Sequence, residues 1–336
     1  MSIEPGYLAL YRSGELEGRA RALEARLAEC DICPRECGAQ RLQGKTGHCR
    51  SAALPIVSSY CAHHGEEPVL SGTRGSGTIF FGNCNLSCVY CQNHQISQDP
   101  AAQRGHEITT GLLAERMLYL QDGPGCHNIN LVTPSHFVPQ IVRAVLEAVP
   151  RGLRLPLVYN TSSYDSLKTL KALDGVIDIY LADLRYASNE MARRYSRVHG
   201  YVKVSHAAIS EMYRQVGNLA VDEDGVAQRG LIIRHLILPN GIAGSEDSLG
   251  WLVQEISPEV AVSIMSQYFP AHEAAGRRYP ELGRKITRRE YTDVTAIVAG
   301  LGMENGWVQE MVSAEDYQPD FAAVEPFEGK KRQRRR

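Results

Sequence analysis

The stretch GSGTIFFGNCNLSCVYCQNHQIS, residues 75–97, decides the fold class and the chemistry that we expect of this chain. It begins with a short apolar run, GTIFFG (77–82), which predicts a buried strand. Three cysteines follow, Cys84, Cys88 and Cys91, with three and then two residues between them. Four thiolates close a metal site, whereas three leave one position for another ligand. We therefore expect a metal centre with an open position at the end of this strand.

Strand-like and helical patterns alternate along most of the chain. The apolar runs of strand length are 77–82, 128–134, 155–161, 176–184, 231–239 and 261–269. The helical patterns are 111–121, 137–149, 165–173, 207–216, 248–256 and 291–303. This alternation predicts βαβ units and a parallel sheet, and six right-handed units favour a partial or closed barrel over a flat sheet. The predicted class is α/β, with a partial (β/α)6 TIM-like barrel.

Three segments differ in composition. Residues 1–75 form an N-terminal extension, with apolar positions at helical spacing in 1–29 and a Cys-rich, metal-binding part after them. Residues 76–312 contain the barrel. Residues 313–336 form a tail whose end, KKRQRRR, is basic. Because such runs at a terminus are commonly solvated and disordered, we assign the tail no function.

The overall composition excludes some classes of protein. The chain has 336 residues, 43% of them hydrophobic and 22% charged, with a net charge of −2. This balance gives no general attraction to nucleic acid or membranes. The N-terminus lacks the pattern of a signal peptide, and no apolar run approaches the roughly 20 residues that cross a bilayer. We expect a cytoplasmic protein without a membrane partner, and the charge disfavours a nucleic-acid partner.

The nine cysteines are clustered, and only Cys126 lies outside residues 30–91. Thiols stay reduced in the cytosol, so this clustering favours metal ligation over disulfides. Cys126 lies in a loop before a strand, on the face of a barrel away from catalysis, and receives no role.

A second group of cysteines precedes the first strand: Cys30, Cys33, Cys37 and Cys49. Four thiolates make a closed site, which is either structural zinc or an iron–sulfur cluster that relays electrons. The spacing matches neither a regular zinc ribbon nor a ferredoxin run, so both metals stay open. Additional or replacement ligands are available nearby, namely Cys61, His63 and His64.

The three-cysteine motif CxxxCxxC, with the aromatic Tyr90 before its last cysteine, resembles that of the radical S-adenosylmethionine superfamily. In that superfamily a [4Fe-4S] cluster with one open iron binds S-adenosylmethionine and cleaves it reductively to methionine and a 5′-deoxyadenosyl radical. The resemblance implies the same cofactors here, with Cys84, Cys88 and Cys91 as cluster ligands, and a reductant such as flavodoxin or ferredoxin. The alternative is a zinc site in which His94 supplies the fourth ligand.

Residues from about Cys30 to Tyr268 resemble the pyruvate formate-lyase activating enzyme group, most closely its PflX-type branch. The stretch YLADLRY (180–186) matches the DxK-type motif of that group, with Asp183 and with Arg185 in place of lysine. The stretch RHLILPN (234–240) is similar to its RxxxxP stretch. The resemblance implies that these residues, together with Tyr90, Arg234 and His235, surround S-adenosylmethionine.

One departure from the superfamily concerns the end of the second predicted strand. Gly-Gly-Glu is usual there and binds the amino group of the cofactor, but this chain has LVTPSH (131–136). Thr133 and Ser135 offer hydrogen bonds without a carboxylate. His136 is either an acid, base or donor to the cofactor, or a cap for the helix near Phe137.

Other polar residues follow later strands. Asn160 and Ser162, with Thr161 between them, are expected near the ribose hydroxyls, although such residues are also ordinary helix N-caps. Gln267 and Tyr268 suit the adenine side. We assign catalytic roles to Asp183, Arg185 and His136.

The function that the resemblance implies is a radical S-adenosylmethionine oxidoreductase acting on a protein or peptide-like substrate, as glycyl-radical activating enzymes do. Two alternatives stay open. One is radical modification of a small molecule or nucleic acid. The other is a non-catalytic iron–sulfur or electron-transfer protein, which the missing Gly-Gly-Glu would favour. No residue names the substrate.

Overall fold

The structure is a computed structural model that describes residues 3–311 together with Pro319, Phe321 and Phe327. The basic end of the tail lies outside these residues. The strands are β1 (Val57–His63), β2 (Ser76–Phe81), β3 (Ile129–Val132), β4 (Leu157–Thr161), β5 (Ile179–Asp183), β6 (Ala220–Val221), β7 (Ala227–Leu236), β8 (Ala261–Met265) and β9 (Gly306–Val308). The helices are α1 (Gly6–Arg12), α2 (Glu15–Ala25), α3 (Pro68–Ser71), α4 (His94–Ser97), α5 (Thr110–Asp122), α6 (Val138–Ala148), α7 (Leu167–Ala172), α8 (Asn189–Ser196), α9 (Tyr201–Val216), α10 (Ser245–Trp251) and α11 (Arg288–Gly300).

In the described part of the chain the strands form one nine-stranded, mostly parallel sheet. Its order is β1-β2-β3-β4-β5-β7-β8-β9, and β6 pairs with the side of β7. The path from β2 to β9 is parallel throughout, whereas β1 is antiparallel to β2. The six predicted strands are confirmed in position and order, and the α/β class is confirmed. The structure adds β1, β6 and β9.

Strands β2, β3, β4, β5 and β8 are buried on both faces, which explains why they appear in the sequence as continuous apolar runs. Helices cover the outer face, and α2 packs against α6 in this layer. On the other face a small apolar cluster forms from Leu70, Val158, Ile179, Leu181, Ala227, Ile232 and Ala261. We call this the inner face. Side chains of β2 to β9 on this face line one common cavity, so the sheet curves around it.

Helix α3 closes the inner face near the amino ends of the strands. The last residue of β1, His63, pairs with Ser76, the first residue of β2, so the chain leaves β1 at that end. Leu70 of α3 is fully buried against Val158 and Ile179. Val158 is the second residue of β4, and Ile179 is the first residue of β5. Parallel strands bring their carboxyl ends to the opposite edge, where the loop with the three cysteines follows β2. The two ends of the inner face are therefore chemically different.

No helix in the described residues has both the length and the apolar character needed to cross a bilayer.

Candidate functional site

A cavity of about 430 Å³ lies on the inner face of the sheet. Each parallel strand contributes at least one lining residue: Phe80, Val132, Asn160, Asp183, Arg234, Ser263 and Trp307. Tyr90 and Cys91 reach it from the loop after β2, and Glu66 and Glu67 reach it from the segment before α3. A cavity of this size at the carboxyl ends of parallel strands suits a small-molecule ligand.

The three-cysteine loop stands at the carboxyl edge of the sheet beside this cavity. The backbone N–H of Leu86 donates to Cys84 Sγ at 3.3 Å. Cys88 Sγ lies 3.0 Å from Ser196 Oγ, and Cys91 Sγ lies 3.2 Å from Ser97 Oγ. Burial raises the pKa of the Cys84 and Cys91 thiols. A buried thiol is a weak acid and keeps its proton until a metal ion takes the place of the proton.

The contacts of His94 bear on the alternative of a zinc site at these thiols. Within the described ranges, no group of three or more His, Cys, Asp or Glu side chains is arranged to hold a metal ion. His94, the alternative zinc ligand, instead stacks on His272 at 5.0 Å, and its Nδ1 lies 3.1 Å from the Cys91 carbonyl oxygen. His94 therefore has other contacts in this structure and is not placed as a zinc ligand beside the three thiols.

A charged network crosses the inner face next to the cysteines. Asp183 and Arg234 are partners in the β5–β7 ladder, so their side chains lie side by side. Arg234 Nε donates to Asp183 Oδ1 at 2.8 Å, and Arg234 Nη2 donates to Asn160 Oδ1 at 2.6 Å. Arg185 Nη2 donates to Asp183 Oδ2 at 2.5 Å, and its Nη1 lies 3.9 Å from Cys88 Sγ. One carboxylate thus orients two guanidinium groups, one of them beside the cysteine loop.

Six of the residues predicted from the sequence meet in the cavity: Tyr90, Asn160, Asp183, Arg185, Arg234 and Gln267. The Tyr90 hydroxyl lies 2.6 Å from that of Tyr186, and burial raises the pKa of Tyr90 to about 12. Gln267 Oε1 accepts a hydrogen bond from Gln309 Nε2 at 3.1 Å. Tyr268 is buried, and its hydroxyl donates to the Leu282 carbonyl at 2.7 Å.

The two histidines predicted near the cofactor do not line the cavity. His136 Nε2 lies 3.0 Å from the Gly82 carbonyl oxygen, and burial lowers the pKa of His136 to about 3. It makes no side-chain cap for α6. His235 lies between Leu184 and Ser245, with its Nδ1 2.8 Å from the Leu184 carbonyl oxygen, and burial lowers its pKa to about 4. Both rings bind the backbone of the loops that follow β2 and β5.

These two pKa values predict how stability depends on pH. Each ring is neutral in the fold, whereas an unfolded histidine has a pKa of about 6.5. The contribution of these neutral rings to the free energy of unfolding is therefore complete above about pH 6.5. It is lost as the pH falls toward about 4. We expect urea unfolding between about pH 7.5 and 5 to show a smaller pH dependence in His235→Gln than in the parent protein. Exposed His199→Gln is the control, and an unchanged dependence in His235→Gln would contradict the assignment.

Three further predicted residues also lie away from the cavity. Thr133 has a left-handed φ of 61°, and its N–H donates to the Asn160 carbonyl at 2.9 Å. Ser135 Oγ lies 3.3 Å from Thr161 Oγ1. The Ser162 carbonyl accepts from the Tyr201 hydroxyl at 3.0 Å. In this structure these residues shape the loops at the carboxyl edge.

The second cysteine group lies in the segment after α2. Cys30, Cys33 and Cys49 are buried and Cys37 is exposed. Burial, with the neighbouring Cys49, Cys30 and Cys37 thiols, raises the pKa of Cys33 to about 12, so the four thiols are close together. A Cβ atom at Gly47 would collide with Cys37 Sγ, so a glycine lets the chain pass this thiol.

The additional ligands considered for that group lie elsewhere. Cys61 packs against the cluster of Phe80, Ile96 and Val132. His63 lines the cavity and stacks on Phe327 at a ring distance of 4.0 Å. A Cβ atom at Gly75 would meet the His64 ring, which places His64 beside the turn into β2.

The sequence did not identify two acidic residues of the site. Glu67 is buried and Glu66 half-buried at the end of the cavity next to α3, and desolvation raises the pKa of both, that of Glu67 to about 7. Two adjacent acids before Pro68 were the only available signal. Phe321 and Phe327 of the tail were also not anticipated, and both pack against Phe80.

Comparison with protein-family models found none that matches this chain. Among curated proteins, uncharacterized protein MJ0674 of Methanocaldococcus jannaschii is 29% identical over 271 residues, which cover 78% of this chain and 71% of that protein. Because that protein is itself uncharacterized, the similarity carries no activity to this chain.

Three solved structures were matched at low similarity. HydG, a maturase of the [FeFe]-hydrogenase, has a TM-score of 0.43 and 10% identity, over 67% of this chain and 49% of that one. SuiB of Streptococcus suis has a TM-score of 0.42 and 11% identity, over 68% and 47%. Methylornithine synthase (PylB) has a TM-score of 0.41 and 16% identity, over 67% and 61%. The chain spans about half the length of the first two, and at these TM-scores the matches carry no argument about function.

Proposed function

We propose that this protein is a radical S-adenosylmethionine enzyme built on a partial (β/α)6 barrel, with a [4Fe-4S] cluster held by Cys84, Cys88 and Cys91. One observation carries the proposal. Three thiols stand at the carboxyl edge of a parallel sheet, beside a cavity and beside the guanidinium of Arg185. When bound, the cluster and S-adenosylmethionine would supply a 5′-deoxyadenosyl radical that abstracts hydrogen from a substrate.

The side chains of the cavity define what the protein would contribute. Arg185 Nε is buried and has no hydrogen-bond partner among the described residues, so it has a free donor for a carboxylate of the cofactor. Asp183 keeps Arg185 in place and offers an acceptor. Asn160 and Gln267 are positioned for hydroxyl and adenine groups. The apolar residues that line the rest of the cavity, among them Phe80, Val132 and Met265, would limit the access of water and so protect a radical from side reactions.

The finer features of the proposal come from the sequence resemblance. They are an oxidoreductase of the activating-enzyme type, a protein or peptide-like substrate, flavodoxin or ferredoxin as reductant, and a cytoplasmic location. The amino group of the cofactor would need a partner other than Gly-Gly-Glu. Asp183 is the carboxylate joined to the cysteine loop through Arg185, and we assign it that role.

The test is anaerobic reconstitution of the full chain with iron and sulfide, followed by measurement of 5′-deoxyadenosine after addition of S-adenosylmethionine and dithionite. We expect 5′-deoxyadenosine together with a change in the cluster spectrum when S-adenosylmethionine binds. A cluster whose spectrum is unaffected by S-adenosylmethionine, and that forms no 5′-deoxyadenosine, would instead favour an electron-transfer protein.

A separate prediction concerns the second cysteine group, which we propose binds its own metal. In a variant with alanine at Cys84, Cys88 and Cys91, metal should remain bound to the segment that contains Cys30, Cys33, Cys37 and Cys49. Metal analysis of this variant, purified without chelators, checks the prediction. Zinc would indicate a structural role and iron an electron relay. A folded variant with no metal would show that the thiols are not a metal site.

A further inference from the structure

The end of the cavity opposite the cysteines is lined by two carboxyl groups that the proposed cofactor does not need, and a fully buried carboxamide lies beside them. We call Glu66, Glu67 and Asn130 the acidic floor. The Glu67 carbonyl accepts from the N–H groups of Leu70 and Ser71 at 2.8 and 3.0 Å, which fixes this segment on α3. Glu66 and Glu67 line the cavity, and Glu67 is 7% exposed.

The polar atoms of the acidic floor are incompletely satisfied. Glu66 Oε2 lies 3.8 Å from Arg234 Nη1, beyond normal hydrogen-bond distance. Among the described residues, Glu67 Oε2 and both polar atoms of the Asn130 side chain have no hydrogen-bond partner. Asn130 is fully buried and close enough to Glu66 to favour its charged form. Buried polar atoms without partners are costly, so this region is built for a polar group that is not part of the chain.

A relay of side chains separates the acidic floor from the cysteines. Cys88 contacts Arg185, Arg185 binds Asp183, and the distances are 3.9 and 2.5 Å. Asp183 binds Arg234 at 2.8 Å, and Arg234 faces Glu66 at 3.8 Å. A cofactor amino group held at a cluster would lie at the Cys88 end of this relay. The acidic floor is at its other end, where helix α3 closes the cavity.

We propose that the acidic floor binds a primary ammonium group at the end of a flexible aliphatic arm of the substrate. This inference rests on the proposed function. An ammonium has three donors. The acidic floor offers it two acceptors that have no partner among the described residues, Glu67 Oε2 and Asn130 Oδ1, together with the Glu66 carboxylate that lines the cavity. The charge of the ammonium compensates a carboxylate pair that is costly to keep ionised without a cation.

The remainder of the cavity suits the aliphatic arm. Val132, Leu236 and Met265 line it between the acidic floor and the cysteine loop. These apolar side chains would contact methylene groups, while the carboxylates select the charged end. A neutral alcohol of the same length would make the same apolar contacts, but it would bring no charge to a carboxylate pair whose neighbouring guanidinium, that of Arg234, is already bound to Asp183.

The experiment compares n-hexylamine with n-hexanol, and the corresponding butyl and octyl pairs, by isothermal titration calorimetry. The full chain is used with its cluster reconstituted and S-adenosylmethionine bound. We expect at least one amine to bind about tenfold more tightly than its alcohol, since hydrogen bonds to charged groups contribute about 1.5–3 kcal/mol. Glu67→Gln and, separately, Glu66→Gln should remove most of this preference. Exposed Glu255→Gln is the matched control and should retain it.

Equal binding of amine and alcohol throughout the series, or no binding of either, would overturn the acidic floor as an ammonium site. So would an unchanged preference in both glutamine variants, each of which tests a different carboxylate. The 5′-deoxyadenosine assay tests the proposed function separately from the titration, which tests the ammonium site. Amine preference without 5′-deoxyadenosine would overturn the proposed function and leave the ammonium site, whereas the reverse result would overturn the ammonium site alone.

Discussion

Replacing Cys88 with alanine is expected to abolish formation of 5′-deoxyadenosine. It is also expected to lower the iron content of the protein by about four atoms per chain. With three thiolates, three of the four irons have a protein ligand and one is open. Without Cys88, two irons would lack a protein ligand. Cys88 is buried between Ser196 and Arg185, and the described residues near it include no other thiol that is not already a proposed ligand. Iron analysis and the anaerobic cleavage assay measure the two effects.

The matched control for this prediction is Cys126→Ala. Cys126 is also a buried free thiol, but it lies before β3, at the amino edge of the sheet. Its replacement should leave iron content and cleavage unchanged. If the Cys88 variant, or the variant lacking Cys84, Cys88 and Cys91 together, still produced 5′-deoxyadenosine, the cluster assignment would be wrong.

Six of the seven parallel strands of the central sheet could be predicted because burial makes each an apolar run. Strand β1 could not be predicted in the same way. Its sequence, VSSYCAH, is half-exposed at the edge of the sheet and mixes polar with apolar residues. Strand β9 has three residues, which is too short for any periodic pattern. Edge strands of this kind are defined by the neighbour that they pair with.

The residues of the candidate site that lie near the carboxyl ends of strands could be predicted from the sequence. Asp183 and Arg234 lie on two paired strands, and the parity of side chains along a strand places both on the inner face. The same parity excludes His235, because it follows an inward residue and points the other way. Glu66 and Glu67 were missed because they come from a connection before the first predicted strand. Only the docking of α3 beneath the cavity brings them into it.

Asp183→Asn is expected to lower the free energy of unfolding by about 3 kcal/mol, since removing one partner from a buried ion pair leaves the other charge uncompensated. The Asp183 side chain is 10% exposed and holds Arg185 and Arg234 at 2.5 and 2.8 Å. Burial opposes the charge of Arg234, but the nearby carboxylates of Asp183, Glu67 and Glu66 raise its pKa. Arginine stays protonated in proteins, so both guanidinium groups remain charged when the carboxylate is lost, and urea unfolding measures the cost.

The same substitution should weaken S-adenosylmethionine binding about tenfold, because a charged hydrogen-bond acceptor is lost and Arg185 is no longer held beside the cysteines. Iron content should stay at the parent level, which separates this effect from loss of the cluster. Arg185→Ala should likewise weaken S-adenosylmethionine binding without a loss of iron. The control is Asp174→Asn, which changes a partner of Arg214 at the surface and should alter neither stability nor binding. Parent stability together with parent affinity in Asp183→Asn would show that the network neither supports the fold nor contacts the cofactor. Parent affinity with reduced stability would restrict Asp183 to a structural role, because a carboxylate that contacts the cofactor must change its binding when its charge is removed.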